Sequence, residues 1–164
     1  MMKKVTGILM VFALFCLGLN GQPTRNDVIA SYNTGAKAIQ TDVPAAIAAF
    51  ENVVTLSDQV GETAADLKQK AVQILPGLYV KAASNALTAK KSPRDVIKAS
   101  KIALAASEKY NNAANKENAL KLMVAGYYNL GTELFTNKDY DNSLLAFDSL
   151  LAINPDYSAA IYNK

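Results

Sequence analysis

The chain has 164 residues, 17 Lys and Arg against 14 Asp and Glu, no His, no Trp and one Cys. Half of it is hydrophobic but only 8% is aromatic. Alanine, the strongest helix former, leads the apolar content, which points to a helical protein with small residues at close helix contacts and away from a β-sandwich. Such a length sets one domain, or at most two.

The first residues read as a targeting segment. Lys3 and Lys4 precede an apolar run from Val5 to Leu19, and Asn20-Gly21-Gln22 follows. A short basic region, about fifteen apolar residues and a small residue before a polar one are the pattern of a secretory signal peptide. The run is shorter than the roughly 20 residues that a bilayer span prefers. Cleavage after Gly21 is expected, so that residues 1–21 are the signal and 22–164 the mature chain; an uncleaved anchor is the alternative. Cys16 raises lipidation, but the bulky Phe15 precedes it where lipoprotein signals carry a small residue. The mature chain would have neither Cys nor His, and its formal charge would fall from +3 to +1 as Lys3 and Lys4 leave. No polybasic segment remains to argue for nucleic acid or anionic lipid. No disulfide is possible either, so packing must hold the fold.

From Pro23 onward the signals are helical. Thr24 and Asp27 mark a helix start, with an acid near the helix N-terminus, and that helix should run to about Gln40. Asp42 caps the next, with Pro44 in its first turn and Val43, Ile47, Phe50 and Val54 on one face. It should fade by Asp58 and break at Gly61. Residues 63–90 form one long pattern interrupted by Pro76-Gly77, which predicts a kink or two helices meeting end to end. Ser92-Pro93-x-Asp95 is the clearest start in the chain. Its helix carries Val96, Ala99, Ile102 or Ala103, and Ala106, and ends near Tyr110-Asn111-Asn112. Asn115 opens a helix bearing Leu120, Val124, Tyr127, Leu130 or Gly131, and Leu134, which stops near Asn137. Asp139 starts another, bearing Leu144, Phe147, and Leu150 or Leu151. Asn154-Pro155 ends it, because a residue before proline avoids helical geometry. "DYSAAIYNK" then reads as the first turns of a further helix over 156–164.

Short connections make sequential helices antiparallel, so the chain reads as three helical hairpins at about 24–60, 62–111 and 115–154. They echo one another. Ala49-Phe50, Ala99-Ser100 and Ala146-Phe147 align at intervals of 50 and 47 residues, and the first helices align through Gly35, Ser84 and Gly131. A small residue there lets paired helix backbones approach, with Phe50 or Phe147 filling the space beside it. Stacking such hairpins buries the apolar side that each alone would expose.

The last hairpin resembles a tetratricopeptide repeat, a helix-turn-helix of 34 residues. Tyr127-x-x-Leu130-Gly131-x-x-Leu134 is similar to the first-helix pattern, Ser143-x-x-x-Phe147 to the second, and Pro155 stands where the family's proline falls. The likeness covers residues 124–157 best and extends to 28–57 through Tyr32, Gly35, Ala46 and Phe50. The middle hairpin departs from it: no aromatic at the Phe site, Pro76 in its first helix, and a spacing above 34 residues. The resemblance implies an all-α, right-handed superhelical array of three antiparallel hairpins plus a partial C-terminal helix, with Gly35, Phe50, Ser84, Gly131, Phe147 and Pro155 as repeat-packing positions.

It also implies a non-enzymatic adaptor or scaffold that holds a peptide or partner segment in a concave groove lined by the first helix of each hairpin. By that alignment Tyr32, Ala36 and Ile39 line the groove from the first hairpin, Lys81, Asn85 and Thr88 from the second, and Tyr128, Thr132 and Phe135 from the third. Some members grip a terminal carboxylate with a Lys and an Asn one turn apart and an Asn from the next repeat. Lys81, Asn85 and Asn129 occupy similar places, although polar residues on a wet helix face are the better account of them. The residue inventory itself suggests no catalytic site, cofactor or metal, since the commonest nucleophile, general base and zinc ligands are missing. The carboxylate pairs Asp58/Glu62 and Asp139/Asp141 read as solvated or capping groups. An exported protein of the bacterial periplasm or cell envelope with a protein or peptide partner is therefore expected, without nucleic acid and without a membrane span in the mature chain. The alternative is a structural segment of a larger solenoid, or a homo-oligomer stacking through its C-terminal end.

Overall fold

In the computed structural model, residues 21–163 are described. Among them are α1 (Arg25–Ala38), α2 (Val43–Val60), a 3-10 turn over Glu62–Ala64, α3 (Ala65–Thr88), α4 (Pro93–Lys109), α5 (Ala113–Thr136), α6 (Tyr140–Ile153) and α7 (Ser158–Asn163), with no strand. The chain is all-α. The expected signal peptide, residues 1–21, lies outside the described residues except for Gly21. No helix among those described is long and apolar enough to cross a membrane.

Local chemistry explains most of the boundaries. The Thr24 backbone N–H and hydroxyl both donate to the Asp27 carboxylate, at 2.7 and 2.8 Å, tying down the start of α1. Those same donors hold Asp27 below its ordinary carboxylate pKa. Asp42 accepts the Ala45 N–H at 3.0 Å and Pro44 takes a first-turn position, where its missing N–H is no loss. Gly61 ends α2 at φ 83°, a conformation that side chains resist. Ser92 accepts the Asp95 N–H at 3.2 Å while its hydroxyl donates to the Asp95 carboxylate at 2.7 Å.

Three helices end alike. After α3, α4 and α5 the chain turns through Lys90, Asn111 and Lys138, each at positive φ. The next N–H reaches back five residues, Lys91 to the Ala86 carbonyl, Asn112 to Ser107 and Asp139 to Leu134, at 2.8–3.0 Å. This Schellman closure satisfies carbonyls that a helix end leaves bare, and at this position glycine is the usual residue.

The structure moves one helix start and one inward position, and closes the alternatives that the sequence left open. Helix α5 starts at Ala113, because Asn112 is its cap and accepts the Asn115 N–H at 3.0 Å. Pro76 sits buried within a single 24-residue α3, so two helices meeting end to end are not found. Ala103 and Leu150 are fully buried, whereas Ile102 and Leu144 are exposed. The inward stripes of α4 and α6 therefore run through Ser100, Ala103 and Ser107 and through Ser143, Ala146, Phe147 and Leu150.

Each helix packs on the next along the chain, and α1 touches α3 as α3 touches α5. The ends of α1 and α3 are tied in parallel. At their starts, the Arg25 guanidinium grips the Asp66 carboxylate with two bonds of 2.6 and 3.0 Å. At the other end, the Lys81 ammonium donates to the Ile39 carbonyl at 2.9 Å and to Gln40 Oε1 at 3.2 Å. Thus α1, α3 and α5 form one layer, and α2, α4 and α6 cover it.

The core follows this layering. Val28, Phe50, Val53, Leu67 and Leu75 close α1, α2 and α3 over one another. Ala83, Ala103 and Ala119, one from each of α3, α4 and α5, meet where three helices converge. A small side chain at that junction lets three helices come together. Ile97, Leu130, Leu134 and Ala146 join α4, α5 and α6, and Phe147, Leu150 and Ala160 join α6 to α7.

Candidate partner-binding face

Glycine and phenylalanine pair off in the first and last hairpins. A Cβ built on Gly35 would lie 2.9 Å from the Phe50 ring, and one on Gly131 would lie 2.7 Å from the Phe147 ring. Both rings are essentially water-free. Each also meets a tyrosine one turn before its glycine: Tyr32 meets Phe50 edge-on with centroids 5.3 Å apart, and Tyr128 meets Phe147 at 6.2 Å. The Ser143 hydroxyl, buried beside the second pair, donates to the Gly131 carbonyl at 2.8 Å. Ser84, the corresponding small residue of the middle hairpin, is half-buried, and Pro155 stands exposed in the turn between α6 and α7.

Of the expected groove residues, the structure brings together those of the third hairpin. Tyr128, Thr132 and Phe135 on successive turns of α5 line a cavity of about 270 Å³ with Phe147, Tyr162 and Asn163. Tyr128 also packs against Tyr157 at 5.7 Å, and Phe135 against Tyr140 at 5.5 Å. Phe135 nonetheless keeps 56% of its surface in solvent. Thr132 has its hydroxyl turned to the Tyr128 carbonyl, at 3.0 Å, leaving its methyl for the cavity. Asn129 is exposed on the same helix.

Elsewhere the assignments separate. Tyr32 and Ile39 are half-buried against the first hydrophobic cluster and serve packing as much as surface. Lys81 places its ammonium on the carbonyl of Ile39, the C-cap of α1, favourable for a cation at a helix C-terminus. Asn85 is exposed. The acid pairs also have local uses: Asp58 accepts from Lys68, and Asp139 accepts twice from the Asn142 amide, at 2.9 and 2.8 Å. Among the described residues no group of three His, Cys, Asp or Glu could hold a metal ion.

Two residues that pattern reading passed over matter here. At Gly126 α4 and α5 come close together, since a Cβ there would meet Ile97 Cγ1 at 2.8 Å and the Ile97 backbone N at 3.3 Å. The available signal was a lone glycine five residues before Gly131 on an otherwise well-formed helix. Tyr79 is the other. Burial, and then its hydrogen bond to Glu51, push its phenol well above the ordinary value, so it is a fixed donor between α3 and α2.

Compared with protein-family models, with curated proteins and with solved structures, the chain matches none.

Proposed function

We propose that the chain is a non-enzymatic protein–protein interaction module of tetratricopeptide type, an adaptor or scaffold exported to the bacterial cell envelope. It would hold a peptide or partner segment on the layer formed by α1, α3 and α5. One observation carries this reading: Tyr128, Thr132 and Phe135, from successive turns of one first-layer helix, share a cavity, and Phe135 spends much of its ring in water. Aromatic anchors of this kind supply most of the energy of a peptide interface. The direct contacts of α1 with α3 and of α3 with α5 support it further, because side-by-side first helices curve an array toward their own side and make that side the concave one.

The test is capture from an envelope fraction followed by mapping. The captured partner, once identified, is titrated into labelled protein, and the perturbed amide signals should centre on Tyr128, Thr132 and Phe135. Phe135→Ala should weaken the complex by about 2 kcal/mol or more with no change in fold. A partner whose signals map elsewhere, or that binds the variant unchanged, overturns the reading. A second reading, self-association through α7, is favoured by Ile161 and Tyr162, which are 56% and 92% exposed. Light scattering over a concentration series separates the two, since a strict monomer rejects self-association.

A further inference from the structure

A second surface lies on the covering layer. Arg94, Lys98 and Lys101 stand four and three residues apart on one face of α4, about 10 Å from first to last at helical rise. They rim an open groove of about 510 Å³ whose remaining lining is Ile97, Ile102, Tyr127 and Leu130. No acidic residue lines it. Among the described residues none of the three cations joins an ion pair, the four pairs present being Arg25–Asp66, Lys68–Asp58, Lys116–Glu108 and Lys121–Glu117. Nearby acids are engaged elsewhere, Asp95 by the Ser92 hydroxyl and Glu108 by Lys116. The Lys101 ammonium instead lies 5.9 Å from the centre of the Tyr127 ring. Ile102, among the largest aliphatic side chains, is 47% exposed at the groove's edge.

Cations in a row above an apolar floor define the complementary ligand. It needs carboxylates at three- and four-residue spacing and, on the adjoining face, aliphatic side chains that reach into the groove. An acidic amphipathic helix lying along α4 has both. A bilayer surface has the charge but not the shape: Ile97 and Leu130 are 7% exposed at the bottom of the groove, where a flat surface does not reach. We propose that this groove of α4 docks an acidic amphipathic helix of a partner protein, independently of the first-helix face.

The probe is a fluorescein-labelled synthetic helix of about sixteen residues, with leucines along one stripe and glutamates flanking it, read by fluorescence anisotropy. A counterpart with glutamine for every glutamate and vesicles of phosphatidylglycerol or phosphatidylcholine complete the set. Saturable binding of the acidic peptide is expected at low salt, weakening as NaCl rises. Arg94→Glu with Lys98→Glu should weaken it about tenfold or more, and Ile102→Asn at least about threefold. The glutamine peptide should not bind. Lys37→Glu with Lys70→Glu, the same charge change on other exposed helix faces, should leave binding within about twofold. Circular dichroism verifies that all variants are folded. Four results overturn the proposal: no saturable binding, equal binding of the glutamine peptide, equal loss in the Lys37/Lys70 control, or variant-sensitive binding to phosphatidylglycerol vesicles in preference to the peptide.

Discussion

Gly126→Ala sets two known effects against each other. Alanine in a helix interior is favoured over glycine by about 1 kcal/mol, so on propensity alone the variant should be more stable. The added methyl, however, would stand 2.8 Å from Ile97 Cγ1, against the 3.5–4.0 Å at which carbon atoms rest (about 1 Å too close). Ile97 cannot yield cheaply. It is β-branched and held to one χ1 rotamer in a helix, its Cγ1 lies next to the backbone, and the Ile97 backbone N is itself 3.3 Å away. Relief requires α4 to back away from α5, opening the Ile97, Leu130, Leu134 and Ala146 cluster. Overpacking of this kind costs about 1–3 kcal/mol, and a backbone contact belongs near the top of that range. The net expectation is a loss of about 1–2 kcal/mol, or roughly 3–8 °C in Tm for a domain of this size. Gly77→Ala is the control, because its new Cβ would meet only the Asn115 amide, at 3.9 Å. It should gain up to about 1 kcal/mol. Urea unfolding with unchanged slope measures both. If Gly126→Ala matches or exceeds the wild type, the close α4–α5 contact is wrong.

Two further outcomes follow from local features. Lys138→Gly should add about 0.5–1 kcal/mol, because Lys138 sits at φ 62° after α5, a backbone region that costs a residue with a Cβ roughly 1–2 kcal/mol, partly offset by glycine's entropy; thermal melts that show a loss would reject this account. Asp66 is held at about 2, chiefly by its hydrogen bonds from Arg25. Since that value lies below the ordinary 3.8, the stability contributed by the Arg25 contact is present above about pH 4 and disappears as pH falls toward 2. The pair is exposed, so the effect should shrink in high salt. Carboxyl NMR should show Asp66 titrating near 2 in the wild type and nearer 3.8 in Arg25→Ala; an unshifted wild-type carboxyl refutes the pairing.

Helix existence, order and most boundaries are written locally in this chain. Thr24 with Asp27, Asp42 with Pro44, and Ser92-Pro93 with Asp95 each satisfy free N–H groups within four residues, so their role needs no knowledge of the fold. Neighbouring residues also suffice for the spacing that puts Gly35 near Phe50 and Gly131 near Phe147, once short turns make the helices antiparallel. Tertiary structure decided what those signals leave degenerate. In an alanine-rich helix the apolar stripe is broad, and periodicity alone does not choose between Ile102 and Ala103. The cluster of Ala83, Ala103 and Ala119 does, with Ala103 fully buried in it and Ile102 left 47% exposed. Lys81 looked like a groove cation, but its ammonium lies on the end of a helix about 40 residues earlier, a pairing no local pattern encodes. Gly126 took its meaning from Ile97, on another helix, and the open row of Arg94, Lys98 and Lys101 became a groove only when Tyr127 and Leu130 arrived beneath it from α5. Hydrogen bonds at a helix end are settled by adjacent residues, whereas the burial of one face is settled by whichever distant helix comes to cover it.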